Sequence, residues 1–229
     1  MNSPLSSSLL LSILIGALGA TGCSYTEGGT GSKTLQIKAA LTYTAGDTDD
    51  NSHFLVEVLD PAGRPVPEAI VTIRDGDTEE EFTLSELESG ESGVYGLSLP
   101  RYRRRIFLSV VRGSDHLEGQ LEGPGPHTIE DPPHAGTVKR RDLDKNLKVT
   151  WKTADGLKAD QITIGLDDEG FSTTELNDRG YGTIPKDELH SGSEGVTVLR
   201  RNALIFDSGL NNSSLEITYK VRHGFQVQD

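Results

Sequence analysis

Apolar residues in this chain recur at every second position, in short runs punctuated by turns. Leu35, Ile37, Ala39, Leu41 and Tyr43 alternate with polar or small residues; so do Phe54, Val56 and Val58, and then Ala69, Val71 and Ile73. Successive side chains of a strand point to opposite faces, so a period of two puts one whole set on a buried face. An amphipathic helix needs a period near 3.6, and no segment keeps one over three turns. Phe82 and Leu84 continue the rhythm, followed by Tyr95, Leu97 and Leu99, then Ile106, Leu108 and Val110, then Leu117 and Leu121. Turn chemistry separates the runs: residues 60–65 read DPAGRP, Asp75-Gly76-Asp77 is tight, and residues 89–93 read SGESG. Short strands with regular turn signals predict an all-β sandwich over residues 34–122.

Residues 123–136, GPGPHTIEDPPHAG, hold four prolines and three glycines and read as a stiffened linker. Beyond it the alternation restarts with Leu147, Val149 and Trp151, then Ile162, Ile164 and Leu166. Phe171 opens a further strand, Val196 and Val198 follow, and Leu215, Ile217, Tyr219 and Val221 close the series. Residues 137–229 therefore read as a second sandwich. The charge changes across the same point. Residues 34–130 carry 18 acids and 8 bases, whereas residues 131–229 carry 16 acids and 13 bases. Each unit is about 100 residues, long enough to bury a core of its own.

Two stretches carry a family resemblance. FLVEVLDPAGRPVPEAIVTI (54–73) followed by GVYGLSLP (93–100) resembles the Ig-like and carboxypeptidase-regulatory-like domains of exported proteins. NLKVTW (146–151) resembles a fibronectin-type-III or Ig-like strand with its early tryptophan. Both resemblances imply two Ig-like β-sandwiches in series. Neither implies an activity, because sandwiches host many functions.

The N-terminus carries a separate signal. Residues 9–20 are apolar or small, about the length of an export-signal core and short of the roughly 20 residues a spanning helix needs. Ala20-Thr21-Gly22-Cys23 resembles the lipobox of bacterial lipoproteins, with Ala20 where leucine is commonest. The segment before it, MNSPLSSS, lacks the expected Lys or Arg. The alternative is an ordinary cleaved signal whose cysteine is incidental. The lipoprotein resemblance implies a signal peptide over 1–22 and an acylated Cys23 at the mature N-terminus. Ser24 after the cysteine implies onward export to the outer membrane. Residues 23–33, rich in Gly, Ser and Thr, read as a flexible tether. The chain has one cysteine, so no internal disulfide can form.

A net charge of −13 argues against nucleic acid, whose phosphates need clustered Lys and Arg. The acidic segments are the chain's candidate calcium ligands. Asp75, Asp77, Glu79 and Glu86 occupy positions 1, 3, 5 and 12 of an EF-hand spacing, but Glu80 stands where the loop needs its turn glycine. Asp47, Asp49, Asp50 and Asn51, and likewise Asp167, Asp168 and Glu169, read as solvated loops. Arg101, Arg103, Arg104 and Arg105 form the one basic cluster. They suit either lipid or glycan anions or, more simply, cross-sheet pairing with Glu79–Glu81. His53, His116, His127, His134, His190 and His223 show no metal-site spacing, and His127 and His134 fall in the linker. Tyr95, Tyr102, Tyr181 and Trp151 are candidates for stacking on sugars, with Trp151 better read as core. There is no Gly-x-Ser-x-Gly elbow and no phosphate-cradling glycine loop after a strand.

The expectation is a membrane-anchored envelope lipoprotein, not an enzyme. It has no cofactor and no metal, and acts as an interaction or scaffolding module. Its partners are the membrane through the acylated N-terminus and an envelope protein or a glycan. The alternatives are an accessory component of an envelope transport or surface-assembly complex, or a glycan-binding or glycan-hydrolysing protein, the hydrolase working through unpaired carboxylates.

Overall fold

Ile37, Ala39 and Leu41 turn inward from one strand while Lys38, Ala40 and Thr42 face out, and Asn51–Leu59 and Arg105–Arg112 alternate in the same way. The computed structural model describes residues 26–46, 50–87, 92–167 and 171–229. The signal segment 1–22, Cys23, Asp47, Asp49, Asp168 and Glu169 lie outside the described residues. In chain order the strands begin with β1 (Thr26–Gly31), β2 (Gln36–Ala45), β3 (Asn51–Leu59), β4 (Ile70–Asp75), β5 (Glu81–Thr83) and β6 (Ser85–Glu86). Next come β7 (Val94–Pro100), β8 (Arg105–Arg112), β9 (Asp115–Glu122), β10 (His127–Asp131) and β11 (Thr137–Lys139). The last are β12 (Asn146–Thr153), β13 (Gln161–Leu166), β14 (Ser172–Glu175), β15 (Tyr181–Pro185), β16 (Gly192–Ile205) and β17 (Ser214–Gln228).

These strands form an all-β sandwich architecture built on one shared sheet. The large sheet runs β14-β13-β16-β17-β2-β3-β7-β6, with β11 added to β17. A five-stranded sheet, β1-β9-β8-β4-β5, and a three-stranded sheet, β10-β12-β15, complete the fold. The first core gathers Ile37, Val56, Val71, Ile106, Leu108 and Leu121. The second gathers Val149, Trp151, Ile162, Ile164, Ile184 and Val198. Burying each such side chain contributes about 1.5–3 kcal/mol.

A glycine and a tyrosine fix the corner of the first sandwich. Gly93 has φ +59°, and a Cβ there would lie 2.7 Å from Val66 N. Two residues on, the buried Tyr95 hydroxyl donates to Val66 O (2.9 Å) and accepts from Ala69 N (2.8 Å). The Gly-x-Tyr pattern thus ties the crossing segment 66–69 to β7.

Three expectations change. Residues 26–31, read as tether, form β1 paired with β9. Their glycines permit close approach: a Cβ on Gly29 would lie 2.2 Å from Glu118 O. Inside the segment read as linker, His127–Asp131 is a strand paired with β12. The boundary near residues 123–136 is also crossed by pairing. Strand β17 runs parallel to β2 from Ser214↔Lys38 to Val221↔Ala45. The distal ends of β16 and β17 place Leu204, Phe206, Leu215 and Ile217 in the first core.

Candidate functional site

Strand β16 carries Arg200 at an inward position beside Tyr219, where an apolar residue would be expected. Its side chain is fully buried, and each of its three guanidinium nitrogens donates a hydrogen bond. Nε donates to Asp178 Oδ2 (2.8 Å) and Nη1 to Gly125 O (2.7 Å), while Nη2 donates to Leu157 O. Asp178 also accepts from Trp151 Nε1 (3.0 Å) and Ala159 N (3.2 Å). Burial pushes the Asp178 pKa up, but Arg200 and these donors outweigh it and hold the carboxyl below its ordinary value. The cluster pins three loop segments onto β16.

His127 stands beside this cluster at the start of β10 and is 3 % exposed. Its Nε2 lies 3.2 Å from Val198 O. A carbonyl only accepts, so Nε2 carries the proton and Nδ1 presents a lone pair. Nδ1 has no hydrogen-bond partner among the described residues. Burial, and then the charge of Arg200, depress the imidazole pKa to about 4. The ring lies 5.3 Å from that of Tyr219, which packs in turn on Tyr43 and Tyr102.

His127 and Tyr219 line a cleft of about 950 Å³ beside the end of β2. Among the described strands, β2 covers one edge of β17 up to Val221 and β11 resumes at Gln226, leaving Arg222–Phe225 without a strand on that side. His134 and His223 line the same cleft with their rings 5.2 Å apart. Asp167 pairs with Arg222 at its rim. Glu194 lines it as well: its Oε1 accepts from His190 N (3.0 Å), and its buried Oε2 has no partner among the described residues. A smaller apolar cavity of about 230 Å³ shares His127, Thr128 and Tyr219.

The other candidates fall into structural roles. Asp75 ends β4 and is buried against Arg103, and its Oδ1 accepts from Asp77 N (2.8 Å). Glu86 accepts from Gly93 N instead of facing Asp75. Arg104 meets Glu122 (3.1 Å) and Asp155 (2.8 Å), and Arg105 meets Asp77 (3.8 Å). Arg103, Arg104 and Arg105 therefore pair with acids, chiefly in turns and β9, Arg103 reaching Glu80 (3.3 Å) as well as Asp75, while Arg101 makes no ion pair among the described residues. Among the described residues, no group of three His, Cys, Asp or Glu side chains converges for a metal. Asp50 accepts from the Tyr43 hydroxyl. Trp151 and Tyr95 are core, and Tyr181 is 42 % exposed beneath Lys148. The cleft is hidden from the sequence because His127 sits among prolines and glycines. Its one signal was the alternation of His127 and Ile129, too short to outweigh that composition.

The fold is thus an all-β protein with two packed cores, and no described helix is long and apolar enough to cross a membrane. No family model matches the chain, and no curated protein matches it. Among solved structures it is similar to a Ca²⁺-stabilized ice-binding adhesin of an Antarctic bacterium, at 11 % identity and TM-score 0.28 over 85 % of this chain. It is also similar to the Yersinia pseudotuberculosis adhesin InvE, at 13 % identity and TM-score 0.26 over 82 %. A third is E. coli alpha-2-macroglobulin, at 11 % identity and TM-score 0.29 over 86 %. This chain spans 49 %, 60 % and 14 % of those three chains. Likeness at this level carries no argument about function.

Proposed function

We propose that this protein is a non-enzymatic interaction module of the bacterial cell envelope, held at the outer membrane by an acylated Cys23. The observation that carries this reading is how its buried polar groups are used. Arg200, Asp178 and Asp75 hold backbone segments, Arg103 is spent on the Asp75 carboxylate, and the His127 cleft sets no nucleophile beside a base among the described residues. A preformed cleft on a rigid double sandwich suits recognition. The lipobox-like residues 20–23 support the anchor, and more than one acyl chain makes anchoring stable.

The test is to extract the native protein from membranes, cross-link it and identify what is recovered by mass spectrometry and sugar analysis. A Gly224→Leu variant is the comparison. Gly224 lines the cleft, and a Cβ there meets nothing closer than Glu194 O at 3.9 Å, so the added side chain fills the cleft without displacing backbone. A reproducible envelope component lost in Gly224→Leu is the expected result. Recovery of lipid and background alone would overturn the reading. Cys23→Ala is expected to move the protein out of the membrane fraction, and retention there would overturn the anchor.

A further inference from the structure

We propose that the loops carrying Leu157 and Leu176, at one end of the second core, rest on the lipid surface beside the acylated Cys23. The inference rests on the anchor reading above and gives that anchor its docking face. Thr26 opens β1 and pairs with Leu121 of β9. It stands three residues after Cys23. Whatever their arrangement, three residues of chain span at most about 11 Å. The headgroup layer on each side of a bilayer is itself about 5–8 Å thick. An anchored chain therefore enters the fold at the lipid surface, with no stalk to hold the body away. Whatever surrounds the start of β1 meets headgroups.

Ion pairs and strand register place the two loops there. Glu122 follows Leu121, and Arg104 joins Glu122 (3.1 Å) to Asp155 (2.8 Å) in the loop between β12 and β13. The loop between β14 and β15 leaves the same end of the second core, since Thr150 pairs with Tyr181 and Ile162 with Glu175. Asp178 ties the loops together: it accepts from Ala159 N, and the Arg200 it pairs with donates to Leu157 O. Each loop carries an outward leucine, Leu157 at 36 % and Leu176 at 82 % exposed. Exposed cations stand close by in sequence, Lys158 and Arg179. A single exposed leucine needs no explanation. Two of them on rigidly tied loops, at the end where the anchor enters, match an interfacial contact, with leucines at the acyl boundary and cations at lipid phosphates.

The test uses the full-length acylated protein in vesicles of phosphatidylethanolamine and phosphatidylglycerol. Acylation consumes the chain's one cysteine, so Leu157→Cys, Leu176→Cys and Asp187→Cys each present a single thiol for an environment-sensitive fluorophore. Asp187 is exposed in the turn after β15, at the opposite end of that strand, and serves as the control. Emission from positions 157 and 176 is expected to shift to the blue and to be quenched by lipid carrying a nitroxide on its headgroup, with neither effect at 187. Leu176 is the more exposed and carries the test if the Leu157 variant is unstable. Labels at 157 and 176 that stay in water while the protein floats with the vesicles would overturn the docking face and leave the anchor standing. Equal quenching at 187 would also overturn the face. Protein that stays in solution with an unmodified Cys23 would remove the anchor, and the face with it.

Discussion

Arg200 Nη2 and Asp178 Oδ2 lie 2.8 Å apart with 0 % and 4 % of their side chains exposed. Such a pair is costly to break from one side, since the survivor is left buried and charged. Asp178→Ala should therefore cost about 3–5 kcal/mol. Asp178→Asn, which keeps the shape and part of the bonding, should cost less. Trp151 is the chain's one tryptophan and donates to Asp178, so its fluorescence reports the site directly during urea unfolding. A loss below about 1 kcal/mol for Asp178→Ala would show that water takes over the role of the carboxylate.

The β16–β17 hairpin should make the two cores melt as one. Leu215 and Ile217 pack in the first core, while Val198 and Val221 of the same hairpin pack in the second. Fraying one core strips strands from the other. Leu215→Ala, at a fully buried site, is expected to cost about 2–5 kcal/mol. Val149→Ala, in the second core, is expected to lower the same single transition in calorimetry. Two separable transitions, each moved by only one of these variants, would refute the coupling.

Much of the sandwich was legible because Ile37, Val56, Val71 and Leu108 keep a strict period of two. The length of β16 was not. Arg200 and Asn202 occupy inward positions and break its apolar pattern. Each is tolerated there because local backbone satisfies it; Asn202 Nδ2 donates to Glu122 O (2.8 Å). Spacing along the chain says nothing of the meeting of Asp178 with Arg200. The parallel pairing of β2 with β17 joins residues far apart in sequence, beyond the reach of any local pattern. The glycines of β1 illustrate a different failure: close backbone approach and flexibility call for the same residue.

The turn after β4 should be indifferent to calcium. Asp75 Oδ2 accepts from Arg103 Nη1 and Oδ1 accepts from Asp77 N, so both oxygens of the carboxylate are already engaged. Millimolar calcium or a chelator is expected to leave the melting temperature unchanged, whereas Asp75→Ala should lower it by several degrees. Calcium stabilisation that disappears in Asp75→Ala would mean the Arg103 pair opens to admit the ion.

His127 sets a pH dependence whose sign follows from its burial. It faces Arg200, Asp178 and Tyr219, with Nε2 on Val198 O, and its pKa falls from 6.5 to about 4. Between those values the unfolded chain holds a proton that the folded protein rejects. Stability is therefore fully present above about pH 6.5 and declines as pH falls toward 4. At 1.36 kcal/mol per pKa unit the loss is about 3 kcal/mol. His127→Phe should flatten that slope, so the difference between the two unfolding curves isolates this residue. The comparison belongs above about pH 4.5, because Asp75 and Asp178, with pKa values held below 3.8, withdraw their own contributions only at lower pH. Identical slopes for the wild type and His127→Phe would mean that the imidazole reaches solvent as easily folded as unfolded.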